Sequence, residues 1–142
     1  MNKMILTFLV AAVVAFGQTD NARQAADKQA SHAKVLTRAE LDELLAKPGR
    51  VLIVDVRRPD EISKVGGFPV YLNVQIDDLQ TSLAWIPRDR PIVALSNHAH
   101  RGARAADILS RAGFKVAGAI GAEVYESEGG KLTKIIPPPP KP

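Results

Sequence analysis

The chain has 142 residues, no cysteine and a formal net charge of +4. That length holds one domain, and the lack of Cys excludes disulfides, thiolate metal sites and cysteine catalysis. The charge is too mild, and the basic residues too scattered along the chain, to argue for a nucleic-acid partner.

Residues 1–17 read as a secretory signal peptide. Lys3 gives a positive start, Met4 to Phe16 give 13 apolar residues, and Ala15 and Gly17 are small residues before a cut at Gln18. The apolar run falls short of the roughly 20 residues that a membrane span needs. Removing this segment takes Lys3 with it and leaves a charge of +3. The expected location is periplasmic or secreted, with no membrane contact after cleavage. An oxidising compartment favours disulfides in small domains, so a Cys-free core has to be self-sufficient. Residues 18–34 are polar and form a linker or frayed helix, with His32 solvated.

Residues 35–126 carry the periodic pattern of a folded domain. Thr37 to Glu40 is a capping box, with Leu36 and Leu41 placed as a hydrophobic staple. Leu41, Leu44 and Leu45 give that helix one apolar face, and Pro48 and Gly49 end it. Val51 to Val56 is β-branched and apolar except for Asp55, the strongest strand signal. Leu72 to Val74 is a short strand. Asp77 to Trp85 is a short helix with Leu79, Leu83 and Trp85 turned inward. Ile92 to Leu95, after Pro91, is a strand buried on both faces. Gly102 to Ala112 is a helix, stopped by Gly113. Val116 to Ile120 is a last strand. In the tail, residues 127–142, Lys131 to Ile136 add an edge strand and Pro137 to Pro140 form a solvated polyproline stub.

Between the strand ending at Leu95 and the helix opening at Gly102 lies a tight polar turn: Ser96, Asn97, His98, Ala99, His100, Arg101. A loop entering a helix N-terminus presents unpaired N–H groups and a positive dipole end, which suits an anion. Arg101 adds a fixed charge, and Ser96 is expected at the mouth of the site.

Several runs resemble the rhodanese-like domain family, in the family's order. Asp55-Val56-Arg57-Arg58-Pro59-Asp60-Glu61 resembles its D-V-R-E-P-x-E signature. Gly66 to Val74 resembles its G-H-I-P-G-A-I-N-I segment, with Gly67 for the usual His. Ile86 to Pro91 resembles its L-P-K-D-K-P turn. Gly113-Phe114 matches its A-G-F corner, and Gly121 to Tyr125 resembles its closing G-G-x-x-x-W. Ser96 to Arg101 resembles its C-x4-R active-site loop, and its length is that of the sulfur-handling members rather than the related phosphatases. Ser96 stands in the place of the nucleophilic Cys.

The resemblance implies a rhodanese-like α/β fold with a central parallel sheet flanked by helices on both faces, as strand–helix alternation also suggests. It implies a sulfurtransferase ancestry, in which a Cys thiolate carries sulfur as a persulfide. A Ser hydroxyl stays protonated near neutral pH and forms no persulfide. The expected function is therefore a module inactive in that reaction, binding a small anion or a protein through Ser96, Asn97, His98, Ala99, His100, Arg101 and Gly102. Asp55 and Arg57 are expected to support the loop, with Arg57 and Arg58 a solvated or substrate-edge pair. The alternative is an active enzyme: a residual sulfurtransferase, or a hydrolase using Ser96 with His98 or His100 as base and Asp55 behind it. No cofactor is expected. His98 and His100 lack a defined third ligand among His32, Asp60 and Glu61, so no metal is expected either.

Overall fold

Alternating apolar residues build the sheet in the computed structural model, which describes residues 31–47, 49–134 and 136. The signal-peptide reading, most of the linker, Pro48 and the polyproline stub lie outside the described residues. The described residues, from Ser31 onward, belong to one compact unit. Its elements are α1 (Arg38–Leu45), β1 (Leu52–Asp55), α2 (Pro59–Val65), β2 (Leu72–Asn73), α3 (Leu79–Ser82), a 3-10 turn (Leu83–Trp85), β3 (Ile92–Ser96), α4 (His100–Arg111), β4 (Val116–Gly121) and α5 (Ala122–Ser127).

The four strands run parallel in the order β2-β1-β3-β4. Successive residues of β3 face opposite sides, as the pleat requires. Ile92 and Ala94 enter one core with Leu79, Ala105, Leu109 and Phe114. Val93 and Leu95 enter the other with Leu36, Leu41, Phe68 and Tyr125. Helices therefore cover both faces, and β3 is buried throughout. Burying each large aliphatic side chain contributes about 1.5–3 kcal/mol.

The capping box at Thr37 forms: its N–H donates to the Glu40 carboxylate at 2.9 Å, and its hydroxyl accepts from Glu40 N–H at 3.3 Å. Leu36 and Leu41 are both buried in one cluster, as a staple requires. Gly113 ends α4 with a φ of 82°.

Four details differ from the sequence reading. Trp85 is 85% exposed rather than turned inward. Six residues on from buried Leu79, it falls about 240° round a helix, on the far side. Residues 31–34 are tied to the domain: Ser31 Oγ donates to the Ala103 carbonyl at 3.0 Å, and the Lys34 carbonyl accepts from Ala119 N–H at 2.8 Å. Among the described residues, Lys131 to Lys134 form no strand. Thr133 forms a single antiparallel bridge with Gly67. Finally, α4 begins at His100, so Arg101 lies in its first turn rather than in the loop.

Candidate functional site

The C-terminal ends of β1 and β3 bring the candidate residues together. Ser96 ends β3, 1% exposed. Its hydroxyl accepts the N–H of Gly102 at 2.9 Å. The expectation that Ser96 stands at the mouth is therefore corrected: the hydroxyl is tucked under the first turn of α4. Gly102 allows this seating, because a Cβ there would lie 2.9 Å from the Ala94 carbonyl oxygen and 3.3 Å from Ser96 Oγ.

The solvated reading of Arg57 is also corrected. Arg57 is fully buried, while Arg58 beside it is exposed. Its Nε donates to Asp55 Oδ1 at 2.9 Å, its Nη2 to Asp55 Oδ2 at 2.7 Å and to the Gly66 carbonyl at 2.9 Å, and its Nη1 to Asn97 Oδ1 at 3.1 Å. Two charges leaving water together need such complete pairing. Asn73 Nδ2 bonds the carbonyls of Asp55 at 2.8 Å and Arg57 at 2.9 Å, locking the turn that carries them.

Arg101 is not an unpaired charge. Glu61 grips it with two hydrogen bonds, from Nη1 at 2.9 Å and from Nη2 at 2.5 Å. Asn97 Nδ2 also donates to Glu61, at 3.2 Å. The Arg101 guanidinium holds the Glu61 carboxyl below the ordinary carboxylate value, and Glu61 in turn raises Arg101. Glu61 is the residue that reading the sequence missed as part of this loop. The signal was present, since it closes the D-V-R-x-P-x-E run and occupies the third position of α2, where it caps Arg58 N–H at 3.0 Å.

The loop itself is tightly built. Ala99 sits at φ 69°, in the left-handed region that a non-glycine residue rarely adopts. Gly121 lets β4 pass beneath it: a Cβ there would lie 2.6 Å from the Asn97 carbonyl oxygen. Glu123 N–H donates to that carbonyl at 3.1 Å. Ala103 N–H is taken by the Ala99 carbonyl at 2.7 Å. The N–H groups of residues 97–101 have no acceptor among the described residues.

The histidines stand apart. His98 and His100 are exposed, and His98 Nε2 lies 3.3 Å from Glu123 Oε2. No hydrogen bond joins either to Ser96 among the described residues, and the Asp55 carboxylate is taken up by Arg57. Among the described residues no group of three or more His, Asp or Glu could hold a metal ion. The backbone N–H of His32 lies 3.2 Å from Asp107 Oδ2.

Parallel strands sandwiched by helices, with a polar loop running from the third strand into a helix, define an α/β domain whose site sits at the carboxyl edge of the sheet. Residues 37–131 match the sequence model of the rhodanese-like domain. The chain belongs to the family of rhodanese-like domains, which is related to sulfurtransferases. Solved structures agree on the fold. A rhodanese-related protein from Thermoplasma volcanium is 23% identical with a TM-score of 0.64, over 72% of this chain and 99% of that one. A Rhodopseudomonas palustris protein of unknown function, described as a possible tyrosine phosphatase, is 23% identical with a TM-score of 0.63, over 92% and 100%. A thiosulfate sulfurtransferase from Pseudomonas aeruginosa is 24% identical with a TM-score of 0.60, over 84% of this chain but 22% of that one. No curated protein matches the sequence.

Proposed function

We propose that this chain is an exported rhodanese-like domain that carries out no sulfur transfer and serves as a binding module for a small anion. One observation carries the reading: the side chain at the family's nucleophile position is Ser96, whose buried hydroxyl accepts the Gly102 N–H. A hydroxyl there neither ionises near neutral pH nor holds a persulfide. The hydrolase alternative lacks support, because a serine nucleophile needs a positioned base and the two nearby histidines are exposed without a bond to it.

The anion-binding half rests on the N–H groups of residues 97–101, gathered at the first turn of α4. With Arg101 held by Glu61, an oxyanion such as sulfate or thiosulfate would rest chiefly on backbone donors. Weak binding follows, on the order of millimolar, worth about 4 kcal/mol.

The test has two arms. Thiosulfate and cyanide should give no thiocyanate above a heat-killed control, and Ser96-dependent turnover would overturn the inactive assignment. Titration with sulfate at low ionic strength should shift the amide resonances of residues 97–101. Unmoved amides would remove the anion and leave a protein-binding scaffold. Export is checked separately: the native host should yield a mature N-terminus near Gln18 from an extracytoplasmic fraction, and full-length protein in the cytosol would sink it.

A further inference from the structure

The basic residues look scattered along the chain, but the parallel topology gathers them. In a parallel sheet, every connection that leads into a strand arrives at the same end. Here those connections are residues 46–51, 68–71, 86–91 and 111–115. They hold six cations, Lys47, Arg50, Arg88, Arg90, Arg111 and Lys115, against the single carboxylate of Asp89. The stretches leaving the strands, residues 56–61, 74–78, 97–101 and 121–128, which take in the first turns of α2 and α4 and all of α5, hold three Arg against seven carboxylates. The two sets of segments thus carry opposite charge.

Contacts bind the basic end into one surface. Leu52 N–H donates to the Pro91 carbonyl at 2.9 Å, and Ile92 N–H to the Lys115 carbonyl at 2.8 Å. The Arg88 guanidinium stacks 3.8 Å from the centre of the Phe114 ring. Lys47, Val70 and Arg90 line a common groove of about 440 Å³. Arg90 pairs with Asp89. Lys47, Arg50, Arg88, Arg111 and Lys115 have no carboxylate within ion-pair distance among the described residues. At the loop end, by contrast, Arg57, Arg58 and Arg101 are all paired. Two large apolar side chains accompany the unpaired cations: Val70 is 80% exposed and Trp85, three residues before Arg88, is 85% exposed.

We propose that this end of the domain docks on an anionic phospholipid surface. Phosphate headgroups would meet the unpaired Lys and Arg side chains, and Trp85 would enter the interfacial layer, where indole rings are favoured. This docking is independent of the loop and departs from the expectation of no membrane contact after signal cleavage.

Trp85 is the sole Trp of the chain, so its fluorescence reports on this end alone. The full chain is titrated with vesicles of phosphatidylcholine and with vesicles that also contain phosphatidylglycerol. Residues 4–16 are present in every arm, so the readout is the difference between lipids and between variants. The expected result is a blue shift of Trp85 and protection from acrylamide with the anionic vesicles only, both reversed by salt. Lys47→Gln with Lys115→Gln should weaken that response about tenfold or more. Lys64→Gln with Lys131→Gln, an equal charge change outside these connections, should leave it within about twofold of wild type. An equal response to neutral vesicles, or an equal loss in both paired variants, overturns the proposal. So does a Trp85 shift that follows protein concentration without lipid, which would mark association between the oppositely charged segments of two copies.

Discussion

Two Arg–carboxylate pairs stand at the same end of the sheet, and they differ in one respect that decides their roles. Arg57–Asp55 is sealed, with side chains 0% and 1% exposed. Arg101–Glu61 is reachable by water, at 33% and 15%. In the sealed pair every guanidinium nitrogen has an acceptor, so the buried charges are tolerated only as a set. In the open pair either partner can be lost to solvent at small cost. Asn97 touches both, accepting from Arg57 and donating to Glu61. The sealed pair therefore fixes where the loop stands, and the open pair sets which charge the loop shows.

The largest expected effect breaks the sealed pair. Arg57→Ala leaves Asp55 buried and uncompensated, which costs about 3–5 kcal/mol. Urea midpoints measure it, and a loss under about 1 kcal/mol would mean that the carboxylate has found water. Replacing both members, Asp55→Leu with Arg57→Met, should be more stable than Arg57→Ala alone, since no lone charge remains. The loop amides should nonetheless broaden, because Asn97 has lost its anchor. A double variant as unstable as the single one would place the cost in packing rather than charge.

Next in size is Gly102→Ala, which sharpens the comparison by disturbing the loop's seating without touching either pair. Its Cβ would stand 2.9 Å from the Ala94 carbonyl oxygen, so the helix must lift. Overpacking of this kind costs about 1–3 kcal/mol. An unchanged midpoint would show that α4 slides freely on β3.

The comparison also marks what could be read from the sequence. The capping box at Thr37, the β3 run and the Gly113 stop depend on near neighbours in the chain, and local patterns report such features. The pairing of Arg57 turns on burial, which comes from Gly66, Asn73 and Asn97 closing around it. No window around residue 57 contains them all. The sequence puts Ser96 in the right loop but at the wrong depth, because its cover is the first turn of a helix that starts two residues earlier than its periodicity suggests. The basic end is invisible for the same reason. Its members lie as far apart as residues 47 and 115, and only the order of parallel strands brings them to one end.

The smallest expected effects concern the open pair. Glu61→Gln should cost about 1 kcal/mol or less, while releasing Arg101 and tightening sulfate binding at the loop. Its pH dependence has a definite sign. Arg101 holds the Glu61 carboxyl below its reference value of 4.5, with the Arg58 N–H assisting. A carboxylate lowered on folding contributes stability that is fully present above its unfolded pKa. That stability is lost as the pH falls through the lower folded value. The gap between wild type and Glu61→Gln should thus be flat from neutrality down to about pH 5, then shrink as the solution is acidified. Other groups titrate in the same range. The Glu40 carboxyl is lowered to about 2, chiefly by its bond with Lys34, and Asp60 and Asp89 are lowered by Arg58 and Arg90. Glu40 and Asp89 are present in both proteins and distant from Glu61, so their shares cancel when one urea series is subtracted from the other at each pH. Asp60 shares Arg58 with Glu61, so its share is removed by a Glu61→Gln/Asp60→Asn series. A gap that stays constant to the lowest pH, or widens there, would show that neither Arg101 nor the Arg58 N–H favours the ionised form of Glu61, and would overturn the pairing.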